Sequence, residues 1–315
     1  MPRHEPRRTV HLGVIALLIL GLLGATGCGR AVTRESFSDA RKGFQTRLLR
    51  HERIGEPAET PPPETLLLVS YPAPLGTNRA YVSPRPVTPA KLPAVIWLVG
   101  GFSNSIGDIA WTPGPRQNDQ SASAFRSQPI VMLYPSLRGG NDNPGSIETF
   151  AGEIDDVLAA TRYLTSLDYV DPTRIYLGGH STGGTLALLV AAAGGDRYRA
   201  VFALGPVDDV AGYGADVLPF DLTTQKELEL RAPKRWLQDI RCPTFVFEGT
   251  VQPSNIGSLR ALARVSTNPN IHFTPTESGT HFSIIAPLVE ELAASIVADT
   301  AQASAFQLRS RDASK

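Results

Sequence analysis

Residues 174–184 read Arg174-Ile175-Tyr176-Leu177-Gly178-Gly179-His180-Ser181-Thr182-Gly183-Gly184, and this stretch decides the fold. It is a short apolar strand, then a Gly-x-Ser-x-Gly turn, then an apolar run from Thr185 to Ala193 that reads as a helix. A serine on such a strand-to-helix elbow sits in a tight turn with its hydroxyl exposed. Glycines flank it because a Cβ at either position would meet the neighbouring strand or helix. The helix start places free backbone N–H groups and a partial positive charge beside the hydroxyl, an arrangement that suits an oxyanion forming on an attacked carbonyl. Ser181 is the nucleophile on this reading, and the alternative is a Gly-rich turn with a bystander serine.

Working outward, strands and helices alternate. Thr65–Tyr71 and Arg79–Ser83 flank Leu75-Gly76-Thr77-Asn78, a hairpin signal. Pro93–Val99 and Pro129–Tyr134 are buried strands, and a helix over Glu148–Leu167 carries apolar residues at helical period. After the elbow come strand Ala200–Leu204, a helix around Thr223–Leu237, strand Thr244–Phe247, helix Asn255–Ser266, strand Ile271–Thr274 and helix Phe282–Asp299. Such alternation predicts an α/β fold with a mostly parallel sheet, helices on both faces and an antiparallel hairpin at its start.

The first residues read as an address. Arg3, Arg7 and Arg8 precede an apolar run from Leu12 to Leu23, too short for a membrane span and right for a signal sequence. The run ends Gly24-Ala25-Thr26-Gly27-Cys28, similar to the lipobox of bacterial lipoproteins, with Ala25 where leucine is usual. Residues 1–28 are thus expected to be a lipoprotein-type signal peptide and Cys28 the lipidated residue. The protein is then exported and lipid-anchored in the cell envelope, on the periplasmic face or the outer membrane. Residues 29–63, polar and ending in four prolines between Pro57 and Pro63, read as a tether in which Phe37, Phe44, Leu48 and Leu49 form a turn or two that docks. The catalytic body is expected over 64–303 and a polar tail over 304–315.

Thirty basic residues balance thirty acidic ones, so nucleic acid is excluded as a partner. Two cysteines, with Cys28 assigned to lipid, leave Cys242 without a disulfide partner. No cofactor or metal is expected: no Gly-rich phosphate loop and no Cys/His cluster of metal spacing is present. The acidic run Glu153, Asp155 and Asp156 reads as a solvated helix face.

The order of elements, with the elbow after the third parallel strand, resembles the α/β-hydrolase fold over about residues 64–300. Within that fold the chain resembles the catalytic domain of the prolyl oligopeptidase and dipeptidyl-peptidase-like group and its esterase relatives. The residues that carry the resemblance are Val99-Gly100-Gly101-Phe102, Tyr134 to Gly140, Val170 to Ile175, Gly205-Pro206-Val207-Asp208 and Arg231 to Leu237. There is no room for the β-propeller of the peptidases, which shifts the expectation from peptidase to esterase. The resemblance implies a serine hydrolase acting through an acyl-enzyme on a small-molecule or short-peptide substrate.

The family's catalytic histidine sits in the loop after the last strand, which here holds Ser278-Gly279-Thr280-His281. The family's acid is usually an aspartate after the penultimate strand, and that position is Gln252, which carries no charge to stabilise an imidazolium. Glu248 at the strand end is the favoured acid, with Asp208 or Asp209, or no acid, as alternatives. The oxyanion donors are expected from the backbone N–H of Thr182 and from Gly101 or Phe102. His180 reads as structural, since its side chain points away from that of Ser181. Trp111 and the loop Ile106–Gln120 read as substrate-facing, and Tyr213, Leu218, Pro219 and Phe220 as an apolar wall. Gln252 also supports a rival reading, a non-catalytic lipid-anchored binding protein on a degenerate hydrolase fold. Acyl transfer would use the same residues as hydrolysis.

Overall fold

The computed structural model describes residues 34–300, 302 and 306–308. The signal-peptide reading and Cys28 lie outside them. Eight strands form one sheet: β1 (Leu67–Ala73), β2 (Gly76–Val82), β3 (Leu92–Leu98), β4 (Val131–Pro135), β5 (Val170–His180), β6 (Ala200–Leu204), β7 (Thr244–Gly249) and β8 (Ile271–Thr276). Their order is β1-β2-β4-β3-β5-β6-β7-β8. The β1–β2 hairpin and the β2–β4 pairing are antiparallel, and every pairing from β4 to β8 is parallel. The helices are α1 (Phe37–Arg41), α2 (Ser123–Arg126), α3 (Glu153–Ser166), α4 (Thr182–Gly194), α5 (Gln225–Leu230), α6 (Pro233–Trp236), α7 (Ile256–Val265) and α8 (Ile285–Ala298).

Side chains of the central strands alternate between two cores. Ala94, Ile96, Leu98, Ile175 and Leu177 face the core that contains residues of α3, α4 and α7. Val95, Trp97, Tyr176 and Phe202 face the one that contains residues of α2 and α8. With both faces covered, the parallel strands are apolar on both sides, and β6 is buried along its whole length. Helix α4 is apolar all round because it lies between the sheet and other elements, with twelve buried residues from Thr182 to Gly194.

Four details differ from the sequence expectation. Helix α3 starts at Glu153, not Glu148, because residues 148–151 curl around the Glu153 carboxylate. It accepts from the backbone N–H groups of Glu148, Thr149 and Ala151. Thr149 and Phe150 are held there with φ of 53° and 66°. Two of the three residues of the acidic run are not solvated, Asp155 alone being partly exposed. Glu153 and Asp156 are each only 1% exposed, and Asp156 pairs with the buried Arg138 at 3.0 Å. The helix expected over Thr223–Leu237 is split into α5 and α6 at Pro233, which has no N–H to continue the first. Strand β5 begins at Val170 rather than Arg174, so Asp171-Pro172 lies within it, beside a register shift against β3.

Residues 35–63, expected as a tether, lie along the catalytic body. Phe37 is fully buried, 4.9 Å from the ring of Trp236, a burial that stabilises by about 2–3 kcal/mol. Leu49 and Ile54 donate backbone N–H bonds to Pro219 and Gly139, and the Tyr81 hydroxyl donates to the Glu59 carbonyl. Buried Arg231 bonds Thr46, the carbonyls of Glu148 and Thr149, and Glu227, and lies over the Phe220 ring at 3.9 Å. Phe220 and Leu218 are therefore core residues, not an apolar wall. At the other end of the chain, Phe306 packs 5.5 Å from the rings of both Tyr176 and Phe202.

The tightest packing in the sheet is beside the elbow. A Cβ on Gly183 would lie 2.0 Å from the Leu98 carbonyl oxygen, on backbone that cannot yield. Gly183→Ala is expected to destabilise the protein by about 3 kcal/mol or more, read from the midpoint of urea unfolding.

Candidate active site

Ser181 ends β5 and begins α4 with φ 57° and ψ −117°, a left-handed conformation that costs about 1–3 kcal/mol for a residue with a Cβ. It is held by the neighbouring strand, since its N–H donates to the Leu204 carbonyl at 2.7 Å, and by the α4 bond from Thr185 N–H to its own carbonyl at 2.9 Å. The first N–H groups of α4 have no acceptor within the helix. Those of Thr182 and its successors therefore point to the space beside the serine. The Thr182 hydroxyl donates to the Gly101 carbonyl at 2.7 Å, which ties the Gly100–Ser103 loop to the elbow. Gly101 has φ 105°, a conformation that glycine takes without strain.

The strands β5, β6 and β7 lie side by side, so their C-terminal ends bring Ser181, Gly205 and Glu248 together. Glu248, the penultimate residue of β7, is fully buried. One of its carboxylate oxygens accepts the Gly249 N–H at 2.7 Å and the other lies 2.9 Å from His281 Nδ1. Gly205 makes room for this pair: with φ 65°, it would place a Cβ 2.4 Å from His281 Cε1 and 3.1 Å from Glu248 Oε2.

Of the three acid alternatives, the carboxylate at the histidine is that of Glu248. Asp208 is held by Ser258 at 2.9 Å and by Lys234, and Asp209 pairs with Lys234 at 2.9 Å. Gln252 is exposed and its side-chain oxygen accepts the Ser254 N–H, so the position where an aspartate was expected turns away from the histidine.

His281 lies in the loop between β8 and α8, folded back over β7. Val251 N–H donates to the Gly279 carbonyl at 2.9 Å and His281 N–H to the Pro253 carbonyl at 2.7 Å. Thr280 and Ser283 exchange hydroxyl-to-backbone bonds that close the turn. The carbonyl of His281 accepts from Nε2 of His180 at 2.9 Å, and the two imidazoles lie 4.5 Å apart. His180 is fully buried, and its Nδ1 lies 3.0 Å from the side-chain nitrogen of Gln120. Burial, and next the proximity of His281, push its pKa down to about 3.

Gln120 closes the loop that sequence placed at the mouth of the site. Its carbonyl accepts the Trp97 indole N–H at 3.0 Å. Trp111 of the same loop packs edge-on against Tyr81, 5.0 Å away. Tyr213 stands over Phe102 and Phe150, with ring centroids 5.0 and 6.1 Å away. A cavity of about 60 Å³ opens beside Thr182, lined by Gly101, Phe102, Ile106, Phe150 and Leu186 among others. Gln120 was not singled out from sequence. It stands sixty residues from His180, and no local pattern links them. Among the described residues, no group of three His, Cys, Asp or Glu side chains is arranged to hold a metal ion, and no helix is long and apolar enough to cross a membrane.

The low pKa of His180 has a consequence for stability. Between about pH 3 and the ordinary histidine value near 6.5, the unfolded chain binds a proton that the folded one refuses. Stability therefore falls as pH drops through that window, by up to about 1.4 kcal/mol per pH unit from this group. Urea midpoints measured from pH 8 down to pH 5 are expected to fall less steeply in His180→Gln than in the wild type.

Comparison with known proteins agrees with this geometry. Residues 117–235, which include the elbow, match the model of the prolyl oligopeptidase family. The chain is 31% identical over 126 residues to the uncharacterized peptidase YtmA of Bacillus subtilis (strain 168), a match covering 40% of this chain and 45% of that protein. The chain thus spans under half the length of this curated relative. Its fold is similar to dipeptidyl peptidase 4 of Porphyromonas gingivalis, with a TM-score of 0.59 at 16% identity over 75% of this chain and 35% of that one. It is also similar to an esterase of Pyrobaculum calidifontis, with a TM-score of 0.54 at 18% identity over 75% and 86% of the two chains. These likenesses show an α/β-hydrolase fold whose residues 117–235 are similar to the prolyl oligopeptidase family.

Proposed function

We propose that this protein is a serine hydrolase that cleaves ester or peptide bonds through an acyl-enzyme. The observation that carries the reading is a strained serine elbow after β5 and a buried carboxylate–imidazole pair at the end of β7, on the two sides of β6 at the same edge of the sheet. Ser181 is the nucleophile and His281 the base that takes its proton through Nε2, the nitrogen left when Nδ1 faces Glu248. Glu248 holds the imidazole in that tautomer and stabilises the imidazolium that forms. The N–H of Thr182 and a backbone N–H from Gly101 or Phe102 receive the oxyanion. Ser181 Oγ bonds to the carbonyl carbon, its proton goes to His281, and the imidazolium returns it to the leaving alcohol or amine. Water then repeats the sequence to release the acid.

Within this class we favour a small ester. What supports it is the small cavity of about 60 Å³ beside Thr182, lined by apolar Phe102, Ile106, Phe150 and Leu186 together with polar Ser103, Asn104 and Thr149. Labelling with a fluorophosphonate probe tests the assignment. The wild type is expected to label, Ser181→Ala to lose labelling completely, and Glu248→Gln to label and turn over p-nitrophenyl butyrate about 10³- to 10⁴-fold more slowly. A folded wild-type protein that does not label would leave the binding-protein reading in its place.

The basic start, the apolar run Leu12–Leu23 and the small residues before Cys28 support a second element of the proposal, export and lipid anchoring in a bacterial envelope. Acyl chains on Cys28 would hold the hydrolase at the membrane surface. In cells expressing the full chain, the wild type is expected in the membrane fraction, and Cys28→Ala in the soluble fraction. Equal partition of both would overturn the anchoring.

A further inference from the structure

We infer that His180 is a positioning residue for His281, fixing the backbone of that histidine so that its free nitrogen faces Ser181. The inference rests on the hydrolase reading above and concerns a residue outside the serine, histidine and glutamate set.

His281 has four polar groups. Its N–H is held by the Pro253 carbonyl at 2.7 Å, its carbonyl by His180 Nε2 at 2.9 Å and its Nδ1 by Glu248 at 2.9 Å. Only Nε2 remains for chemistry. The Pro253 and Glu248 contacts both come from β7 and the segment that follows it. The His180 bond is the third point, and it comes from the opposite direction, from the residue next to the nucleophile. It therefore couples the two reacting residues directly: a displacement of the elbow carries the His281 backbone with it.

The chemistry of His180 suits this role. A carbonyl only accepts, so Nε2 must carry the proton, and Nδ1 of the neutral ring must then be the acceptor. Gln120 supplies the donor that this tautomer needs: its amide nitrogen and oxygen lie 3.0 and 3.1 Å from Nδ1, and only the nitrogen can donate to it. That amide is steadied in turn by Asn118 at 2.8 Å, and the Gln120 backbone by the Trp97 indole. Complete burial keeps the ring uncharged, so that no second cation competes with the imidazolium formed on His281. Phe282 packs against both imidazoles, 5.7 Å from His180 and 5.0 Å from His281, and closes the cluster on the solvent side. A residue that merely filled space here would need neither ring nitrogen bonded.

The test compares His180→Phe, which keeps a ring but has no donor, with His180→Gln, whose amide nitrogen reaches about as far as Nε2. Kinetics on p-nitrophenyl butyrate at pH 8 and melting temperatures are measured for both. His180→Phe is expected to lower kcat by roughly 10- to 100-fold with KM little changed, as a small misplacement of a catalytic group does. His180→Gln is expected to recover most of that loss, with both variants melting close to the wild type. Wild-type kcat in His180→Phe, or losses of activity that track losses of stability in both variants, would overturn the inference while leaving the hydrolase reading intact. A wild type without activity or labelling would overturn that reading instead. Histidine ¹⁵N spectra then decide the positioning separately. The Nδ1–H signal of His281 is expected to broaden in His180→Phe and persist in His180→Gln, and an unchanged signal in both would overturn it.

Discussion

Everything at this site depends on one piece of close packing, the first turn of α4 pressed against β3 and β6. Gly183 lies under the Leu98 carbonyl and Gly184 under that of Leu204, at separations where a Cβ has no room. That contact forces the chain to reverse sharply at residue 181, and the reversal is possible only with a left-handed backbone. The strain at Ser181 is thus supported by the whole apolar length of α4, which is buried from Thr182 to Ala192. The same contact aims the unpaired N–H groups of the helix start at the serine. Placement of Ser181 and exposure of the helix-start N–H groups beside it are one structural event.

The histidine is placed by a different mechanism. It lies on a loop, and loops are precise only where their backbone groups are bonded. Here the Pro253 and Glu248 contacts come from β7 and the segment after it, and a third comes from the elbow through His180. Glu248 is shifted four residues toward the strand from the position where the related hydrolases carry their aspartate. The longer side chain and its start inside β7 compensate for each other: the carboxylate emerges at the strand end, against Gly205, where a shorter acid would not reach the ring. Gln252 is then released to a surface turn, where it bonds its own loop.

Much of this was legible in the sequence because it is written locally. Period-two and period-3.6 apolar patterns mark the strands and helices, and the glycines around Ser181 record contacts that admit no side chain. What was not legible depends on contacts between distant segments. Glu153 and Asp156 look like solvated charge until Arg138 and the curl of residues 148–151 are known to meet them. Phe220 looks like part of an apolar wall until Arg231 lies on it. That Glu248 rather than Asp208 lies against His281 depends on where Lys234 and Ser258 sit, and the contact of Gln120 with His180 on a loop whose path no pattern specifies. Phe37 illustrates an intermediate case: its apolar character in a polar segment was visible, but the partner that buries it, Trp236, was not.

On the proposed reading, Ser181 forms a covalent acyl intermediate with His281 and Glu248 behind it. That reading is tested most directly by mixing the enzyme with p-nitrophenyl butyrate, quenching in acid within the first turnovers, and mapping the adduct by peptide mass spectrometry. A butyryl group is expected on the peptide carrying Ser181, formed with a stoichiometric burst of nitrophenol and far more slowly in Glu248→Gln. A folded, wild-type protein with no adduct, or one acylated at another residue, would contradict it.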